Sequence, residues 1–299
     1  MVSEEGMDGD SQWTILKLIQ WTAQHFRKAG IETPRLDAEI LLAHVLGTDR
    51  LHLYTQFDRV VGPQERARFR ELVKRRAQRV PCKWLTGTTE FYGIALEITE
   101  GVFVPRPETE LIVQSCLQLA QPADGPWRIL ELCAGCGAIA IAVAVELSNA
   151  RVIAVELDEK AAELAQRNVK KHSLEGRLTI LRGDLFAPLG ESDCAEGFDF
   201  ILVNPPYVPS DLAGELDPEV ALHEPRLAWD GGVDGLDCCR RIFAQARGLL
   251  RPGGNLIIEI GEGQAEEAAR IAAAAGLKLA EVRRDAAKIE RTLIFRCDA

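Results

Sequence analysis

From residue 128 onward, short apolar runs alternate with segments of helical character. The runs with strand character cover residues 128–132, 151–155, 178–181, 200–203, 255–260, 277–282 and 292–295. Helices are predicted from near residue 138, over 235–249 and over 262–275. Strands that alternate with helices are typical of a parallel sheet covered by helices on both faces. The pattern predicts an α/β fold with a doubly wound sheet.

The run Asn204-Pro205-Pro206-Tyr207 directly follows the apolar strand 200–203. Proline has no N–H for a strand ladder and holds the residue before it in an extended conformation, so the strand must end there. Ligands bind at such carboxyl ends of strands in open α/β sheets. The side-chain oxygen of Asn204 and the carbonyl of Pro205 can accept both N–H groups of a planar NH2, and Tyr207 offers a ring for stacking. The run predicts recognition of a planar NH2 group; a proline-rich turn that only ends a strand is the alternative.

A glycine-containing loop, residues 133–137, follows the first predicted strand of the sheet. Gly135 and Gly137 lack Cβ atoms where a ligand would approach the backbone. The second strand ends in Glu156, and an acidic residue at this place can accept hydrogen bonds from both ribose hydroxyls of a nucleoside. Loop and carboxylate together predict a nucleoside site, with a solvated glutamate at a strand end as the alternative.

Asp184, Leu185 and Phe186 follow the third predicted strand. The carboxylate of Asp184 can accept a hydrogen bond from an adenine amino group, and either apolar side chain can line the face of the base. A plain turn residue is the alternative for Asp184.

A nicotinamide-dependent dehydrogenase would share the glycine loop and the acidic residue after the second strand. The third glycine of its G-x-G-x-x-G pattern is absent, because Ala138-Ile139-Ala140 follows Gly137. No histidine or lysine stands out as an acid for hydride transfer, and the Asn-Pro-Pro-Tyr run has no role in that chemistry. These features argue against a dehydrogenase.

The eight cysteines lack the spacing of a disulfide framework, so we expect a reducing cytoplasm. Cys133 and Cys136 form a C-x-x-C, but the sequence has no second such pair to complete a zinc site. Because this pair lies inside the glycine loop, we expect residues that line a site and no metal or redox centre. Cys238 and Cys239 lie on a predicted amphipathic helix and are expected to pack.

Three regions are predicted: a helical domain over residues 1–85, a β-hairpin connector over 86–105 and the α/β domain over 106–299. In the helical domain, Thr33-Pro34 predicts the start of a helix. A later helix, after Gly62-Pro63, carries a basic outer face. Its predicted members are Arg66, Arg68, Arg70, Lys74, Arg75, Arg76 and Arg79. This face predicts either a solvated surface or a docking surface for an acidic macromolecule.

The hairpin is predicted from alternating apolar residues at Ile94, Leu96 and Ile98, with residues 102–104 returning as the second arm.

Charge and hydropathy exclude several classes of protein. The net charge of −10 and the pI of about 5.2 argue against a free-standing nucleic-acid binder. Residues 1–85 hold 14 basic and 11 acidic residues, a net charge of +3, which leaves −13 for the rest. No apolar run is long enough for a transmembrane helix. The acidic residues 1–10 do not resemble a signal peptide and are expected to be frayed.

Asn-Pro-Pro-Tyr after an apolar strand resembles the signature of methyltransferases that use S-adenosylmethionine to methylate exocyclic or amide nitrogens. Over nearly its whole length the sequence resembles the protein-(glutamine-N5) methyltransferases of peptide-chain release factors, the PrmC/HemK family. The matching segments are 35–39 (Arg-Leu-Asp-Ala-Glu), 92–93 (Tyr-Gly), 105–110 (Pro-Arg-Pro-Glu-Thr-Glu), 133–137, 204–207, 223–227 (His-Glu-Pro-Arg-Leu) and 234–236 (Asp-Gly-Leu). The chain departs from the family at Cys133, usually glycine, and at Glu131 and Glu156, where aspartate is common.

The resemblance implies a class I S-adenosylmethionine-dependent methyltransferase with a Rossmann-like seven-stranded sheet whose last strand is antiparallel. It also implies that the small N-terminal helical domain docks the substrate and that residues 106–299 are the catalytic domain. S-adenosylmethionine is then the cofactor, S-adenosylhomocysteine its product, and the glutamine of the release-factor Gly-Gly-Gln motif the acceptor, in the cytoplasm.

The resemblance assigns roles to two sets of residues. The implied cofactor contacts are Cys133, Ala134, Gly135, Cys136, Gly137, Glu156, Asp184, Leu185 and Asn204. The implied substrate contacts are Asn204, Pro205, Pro206 and Tyr207, with catalytic roles for Asn204, Pro205 and Tyr207. No direct contact with nucleic acid or membrane is expected, and the oligomeric state stays open. The alternative acceptors are a glutamine of a ribosomal protein and an exocyclic amine of a nucleic-acid base.

Overall fold

The computed structural model describes residues 12–298, so the acidic segment 1–10 lies outside the described residues. The chain forms two compact units, Met1–Gly87 and Thr88–Ala299. No helix within residues 12–298 is long and apolar enough to cross a membrane.

The first unit is helical. Its helices are α1 (Ile15–Lys28), α2 (Pro34–Leu46), α3 (Arg50–Thr55), α4 (Pro63–Ala77) and α5 (Cys82–Thr86). Helix α2 begins at the predicted place, with Thr33 at the N-cap and Pro34 at the first helical position. The Thr33 hydroxyl donates to Asp37 Oδ1 at 2.9 Å instead of capping the backbone.

One member of the predicted basic face of α4 is buried. Arg76 was predicted to point outward, but its Nε donates to Asp37 Oδ2 of α2 at 2.6 Å, and both side chains are 7% exposed. A buried charge requires a partner, and the helical pattern of α4 alone does not reveal that Asp37 supplies one. The prediction for Arg76 was wrong for this reason.

A two-stranded hairpin opens the second unit, and residues 94–97 form one of its strands as predicted, but the partner strand precedes them instead of following them. Strands β1 (Thr88–Phe91) and β2 (Ile94–Glu97) pair antiparallel. The turn between them is Tyr92-Gly93, with φ of 51° and 72°, as a tight hairpin turn requires. Residues 102–104 form no strand. Val102 is buried in irregular backbone, so its apolar character reflects packing and not strand pairing.

The rest of the second unit is a seven-stranded sheet with helices. The strands are β3 (Arg128–Leu132), β4 (Arg151–Glu156), β5 (Leu178–Arg182), β6 (Phe198–Val203), β7 (Leu250–Glu259), β8 (Lys278–Arg284) and β9 (Glu290–Arg296). The helices are α6 (Glu110–Leu119), α7 (Ala138–Glu146), α8 (Glu159–Lys171), α9 (Glu191–Glu196), α10 (Pro218–His223), α11 (Asp237–Leu249) and α12 (Ala265–Ala274). Short 3-10 helices cover Pro107–Thr109, Ser210–Glu215 and Arg226–Ala228.

The sheet has the order β5-β4-β3-β6-β7-β9-β8. Strands β3 to β7 pair in parallel, and β9 runs antiparallel between β7 and β8. The predicted doubly wound sheet with an antiparallel last strand is confirmed. Because the strand order reverses between β3 and β6, a ligand crevice is expected at their carboxyl ends.

Strand β7 begins at Leu250 and not at the predicted residue 255. Residues 251–254, which lie between the predicted helix and the predicted strand, form an irregular start of the strand, where the pairing register with β6 shifts between Phe198 and Phe200.

The strands on either side of the crevice lie deep in the core. Residues Ile129 to Leu132 of β3 and Phe200 to Val203 of β6 are buried, as are residues 138–144 of the almost wholly apolar helix α7. Burial of one large aliphatic or aromatic side chain stabilises a fold by about 1.5–3 kcal/mol. The loops that follow β3 and β6 therefore stand on a rigid base.

Candidate active site

A cavity of about 550 Å³ lies at the carboxyl ends of the parallel strands. Nearly all residues predicted for the cofactor and the substrate line it: Cys133, Ala134, Gly135, Cys136, Glu156, Asp184, Leu185, Asn204, Pro205, Pro206 and Tyr207. Gly137 does not line it. A Cβ atom there would lie 3.3 Å from Ala165 Cβ, and its φ is +83°, so this glycine allows close packing of α7 on α8.

The loop after β3 departs from an all-glycine turn at Cys133. Its φ is +58°, in the left-handed region that favours glycine. The neighbouring Cys238 thiol of α11, together with burial, raises the pKa of Cys133. Cys238, which was expected only to pack, also lines the cavity. Within residues 12–298, no cluster of three or more His, Cys, Asp or Glu side chains is placed to hold a metal.

The backbone at Cys133 yields a testable pair of substitutions. Cys133→Gly should keep wild-type affinity for the cavity's ligand, because glycine adopts positive φ without strain. Cys133→Val should weaken binding roughly tenfold, since branching at Cβ makes the left-handed conformation that Cys133 already adopts more costly. Calorimetry with S-adenosylhomocysteine compares the two variants. Equal affinities would show that this conformation does not constrain the loop.

Glu156 links the ends of β3 and β4. Its Oε2 accepts from Gly135 N at 2.7 Å and its Oε1 from Asp158 N at 2.8 Å. Burial raises the pKa of Glu156, although these backbone N–H groups oppose the shift. Because each carboxylate oxygen can accept more than one hydrogen bond, Glu156 can hold the loop and also accept from a ligand's hydroxyls.

Asp184 and Leu185 lie beyond β5 at the same edge. Asp184 Oδ2 accepts from an Arg241 NH2 group of α11 at 2.5 Å, and both side chains are about half exposed. One oxygen of the predicted adenine acceptor is therefore engaged in an ion pair that sequence reasoning did not foresee. Leu185 is buried at a φ of +50°.

The residues after β6 are fixed from several sides. Asn204 Nδ2 donates to Thr109 Oγ1 at 3.1 Å. Gln264 Nε2 donates to the carbonyl oxygen of Tyr207 at 2.9 Å. A Cβ atom on Gly235 would lie 2.2 Å from that same oxygen, so only glycine allows this approach. The backbone of the run is thereby held at the cavity wall.

Sequence reasoning missed Glu259, the last residue of β7. It is 1% exposed, and its Oε2 is buried without a hydrogen-bond partner among the described residues. Burial raises the pKa of Glu259 to about 7, although the nearby Thr109 and Tyr207 hydroxyls and Arg291 oppose the shift. A glutamate at the end of an apolar strand was the signal, and it is the same signal that identified Glu156.

The segment 208–235 forms a further wall of the cavity. Within this segment, an isolated parallel β-bridge pairs Val208 with Asp230. It is joined to the chain before α6 by an ion pair, since an NH2 group of Arg106 donates to Glu224 Oε1 at 2.6 Å. The Glu224 side chain is fully buried, so this contact ties two sequence segments that the prediction treated separately.

The cavity is apolar over most of its wall, and the carboxylates of Glu156 and Asp184 and the side chain of Asn204 offer polar groups to a ligand. Small-molecule sites are commonly built in this way. The arrangement can hold a nucleoside-type ligand next to a planar NH2 group.

Two family models match the chain, the PrmC N-terminal domain over residues 17–87 and the methyltransferase small domain over residues 109–215. The release factor glutamine methyltransferase of Geobacter sulfurreducens is 44% identical, over 85% of this chain and 86% of its own length. That of Rhodopirellula baltica is 43% identical, over 84% and 85% respectively.

Solved structures share the fold at low identity. A methyltransferase from Pyrococcus furiosus has a TM-score of 0.52 and 18% identity, covering 80% of this chain and 100% of its own. A 16S rRNA N2 methyltransferase from T. thermophilus, solved with AdoMet and guanosine, has a TM-score of 0.51 and 19% identity, covering 71% and 50%. The predicted methyltransferase fold is confirmed. Given the two domain matches and the identity to full-length relatives, this chain belongs to the family of the release factor glutamine methyltransferases.

Proposed function

We propose that this protein transfers a methyl group from S-adenosylmethionine to the side-chain amide nitrogen (N5) of the glutamine in the release-factor Gly-Gly-Gln motif. Membership of the family supports a release-factor glutamine as the acceptor. One hydrogen bond supports the amide nitrogen as the atom that is methylated. Because Asn204 Nδ2 donates to Thr109 Oγ1, the Asn204 side-chain oxygen is left to accept an N–H of the substrate. The Pro205 carbonyl is the second acceptor for a planar NH2 group.

The cavity fits S-adenosylmethionine. Its volume of about 550 Å³ lies in the usual range for small-molecule sites. Glu156 would accept from the ribose hydroxyls, Asp184 from the adenine amino group, and Leu185 would line the base. S-adenosylmethionine supplies a methyl group on a sulfonium, which is already activated for transfer. The loop 133–137, with no side chain at Gly135, lets the ligand approach the backbone.

The protein's main contribution is alignment. An amide nitrogen is a poor nucleophile because its lone pair is delocalised into the carbonyl. Hydrogen bonds from the substrate NH2 to Asn204 and Pro205 would orient that nitrogen and favour a more pyramidal geometry, while Tyr207 packs on the amide plane. Such positioning can supply roughly 7–11 kcal/mol of the barrier. The nitrogen becomes acidic once methylated, so we propose that its proton leaves to water.

The substrate is a protein and not a nucleic acid in this proposal. An exocyclic base amine is also a planar NH2 group, and Tyr207 would stack on a base as well as on an amide. The net charge of −10, however, opposes binding to phosphates, and the +3 of residues 1–85 offsets little of it. We place the reaction in the cytoplasm, with no membrane partner, where the eight free thiols would stay reduced.

Transfer of radiolabel tests this function. Tritium from methyl-labelled S-adenosylmethionine should enter a bacterial release factor, and mass spectrometry should place one methyl group on the glutamine of Gly-Gly-Gln. A release factor with that glutamine changed to alanine is the matched control and should take up none. Equal labelling of the control, or faster labelling of rRNA, tRNA, DNA or ribosomal protein, would contradict the proposal.

A further inference from the structure

One side chain joins the two ends of the wall segment 208–235. Gln264 is the N-cap residue of α12, and its Nε2 donates to the carbonyl oxygen of Tyr207, just before the segment, at 2.9 Å. The same Nε2 donates to the carbonyl oxygen of Asp234, near the end of the segment, at 3.2 Å. Both protons of this NH2 group are therefore used, and together they close the base of the wall segment.

A third hydrogen bond fixes the orientation of the Gln264 amide. Its Oε1 accepts from Gly261 N at 2.8 Å, in the turn between β7 and α12. A backbone N–H can only donate and a carbonyl oxygen can only accept, so a flipped amide would lose all three hydrogen bonds. The side chain can therefore join these three segments in one orientation only.

Two glycines make room for this junction. A Cβ atom on Gly235 would overlap Gln264 Nε2, and one on Gly261 would lie 3.0 Å from Gln264 Oε1 and 3.3 Å from Tyr207 Cδ2. Both glycines are buried. The Gln264 amide and the Tyr207 ring thus meet in a space that side chains at residues 235 and 261 would fill.

The wall segment has further contacts that do not involve Gln264. Val208 N donates to the Trp229 carbonyl at 2.8 Å, and Gly231 N donates to the Val208 carbonyl at 2.9 Å. Asp234 Oδ1 accepts from an NH1 group of Arg240 of α11 at 2.8 Å. Because these contacts stay when the Gln264 amide is removed, we expect the wall to persist and the backbone of Tyr207 to lose its restraint.

We propose that Gln264 is a positioning residue whose amide fixes the backbone of Tyr207, and with it the Asn-Pro-Pro-Tyr run, at the base of the wall segment. Two consecutive prolines stiffen the run, so a carbonyl that is held at Tyr207 also restricts where the Pro205 carbonyl and the Asn204 side chain can lie. The identity of the group that these acceptors receive rests on the proposed function. The junction itself rests only on the three hydrogen bonds and the packing of the two glycines.

The first experiment removes the amide. Gln264→Met keeps a side chain of similar length without its donors and acceptor. With release factor as substrate it should lower kcat roughly tenfold, the effect of about one net hydrogen bond. S-adenosylhomocysteine should bind with nearly wild-type affinity, since Glu156 and the loop 133–137 are unchanged.

Gln245→Met is the matched control for this substitution. Gln245 is exposed on α11, and its Nε2 donates to the Arg241 carbonyl of its own helix at 3.4 Å. It should behave as wild type. A Gln264→Met enzyme with wild-type kcat would overturn the proposal.

The second experiment uses Gln264→Glu, which makes the junction sensitive to pH. An ionised carboxylate there would face two carbonyl oxygens, whereas a protonated carboxyl group can donate to one of them. The kcat of this variant, divided by that of the wild type at the same pH, should rise several-fold as the pH falls from about 8 to about 6, because partial burial and the carbonyls raise the pKa of the new carboxyl group. The same ratio for Gln264→Met should stay constant.

Division by the wild-type value removes the contribution of the charged groups around the junction, since every variant keeps them. These groups are Asp234, Arg240, Glu259, Glu262, Glu267 and Arg291. A ratio for Gln264→Glu that does not change with pH would overturn the proposal, because lost packing alone does not depend on the protonation of this carboxyl group.

An NMR measurement keeps the inference separate from the proposed function. The chain has three tyrosines, so ring labelling gives few signals, and Tyr207→Phe identifies the signal of Tyr207. That signal should shift in Gln264→Met and stay in place in Gln245→Met, whatever the methyl acceptor is. An unmoved signal in Gln264→Met would defeat the inference, even for an enzyme that methylates release factors. Failure of the wild type to label release factors would instead defeat the proposed function alone.

Discussion

Replacement of Asn204 by alanine is expected to lower kcat by roughly 10²–10³-fold, the range for loss of one preorganised polar group at a reacting centre. The reason is that the substitution removes the side-chain amide oxygen of the Asn-Pro-Pro-Tyr run and leaves the Pro205 carbonyl as the remaining proposed acceptor for the substrate NH2. S-adenosylhomocysteine should still bind with nearly wild-type affinity, since Glu156 and the loop 133–137 are intact.

Single-turnover methylation of release factor and calorimetry of the same preparations measure the two quantities. Asn149→Ala is a matched control, because Asn149 is exposed, lies outside the cavity lining and donates from its side chain to the Asp124 carbonyl alone within residues 12–298. It should behave as wild type. An Asn204→Ala enzyme that loses cofactor affinity as strongly as kcat would indicate that Asn204 serves the cofactor and not the acceptor amide.

Local sequence patterns were enough to place most of the site. Two prolines must end a strand, so the position of Asn204 at a carboxyl edge followed from the run itself. Glu156 followed from the rule that an acidic residue ends the second strand of a nucleoside-binding sheet. The strand alternation predicted the sheet, and its order brought these loops to one edge. The roles of these residues toward ligands stay predictions.

Contacts between residues far apart in the sequence were not predictable in the same way. Asp37 and Arg76 meet although 39 positions separate them, and Arg106 and Glu224 although 118 do. Each of these residues alone looks like a surface charge, because the sequence gives the residue type but not how deeply the side chain is buried. Glu259 was missed for a related reason: its neighbours in the chain are apolar, and the groups that affect its pKa lie on other elements.

Replacement of Arg106 by methionine is expected to lower the free energy of unfolding of the second unit by about 3–5 kcal/mol at neutral pH, the range for breaking a buried ion pair. Glu224 would keep its fully buried position but lose the partner that lies 2.6 Å away. Methionine preserves much of the packing of Arg106 on the Phe103 ring, whose centre lies 4.8 Å from the guanidinium carbon. The loss of stability should therefore come mainly from the broken ion pair and only to a small extent from lost packing.

The loss in free energy of unfolding should also depend on pH. The burial of Glu224 determines whether this loss grows or shrinks as the pH rises. Burial raises the pKa of Glu224 above its usual 4.5, while Arg106 opposes that shift. The stability that this carboxyl group contributes is thus present at acidic pH and is lost as the pH rises through its folded pKa. Without Arg106, the pKa of Glu224 in the folded protein rises further. The free energy of unfolding of the variant must therefore fall further below that of the wild type as the pH rises from about 5 to about 8.

Urea unfolding at both pH values measures that growth. The double substitution Arg106→Met/Glu224→Gln should recover most of the loss, because no buried charge remains. Arg270→Met is the matched surface control: Arg270 pairs with Glu267 at 2.6 Å, but their side chains are 70% and 42% exposed. Its effect on stability should be small, because solvent screens an exposed ion pair. A deficit in Arg106→Met that does not change with pH would mean that Arg106 stabilises the cavity wall by packing, because only an ionisable partner makes the loss follow pH.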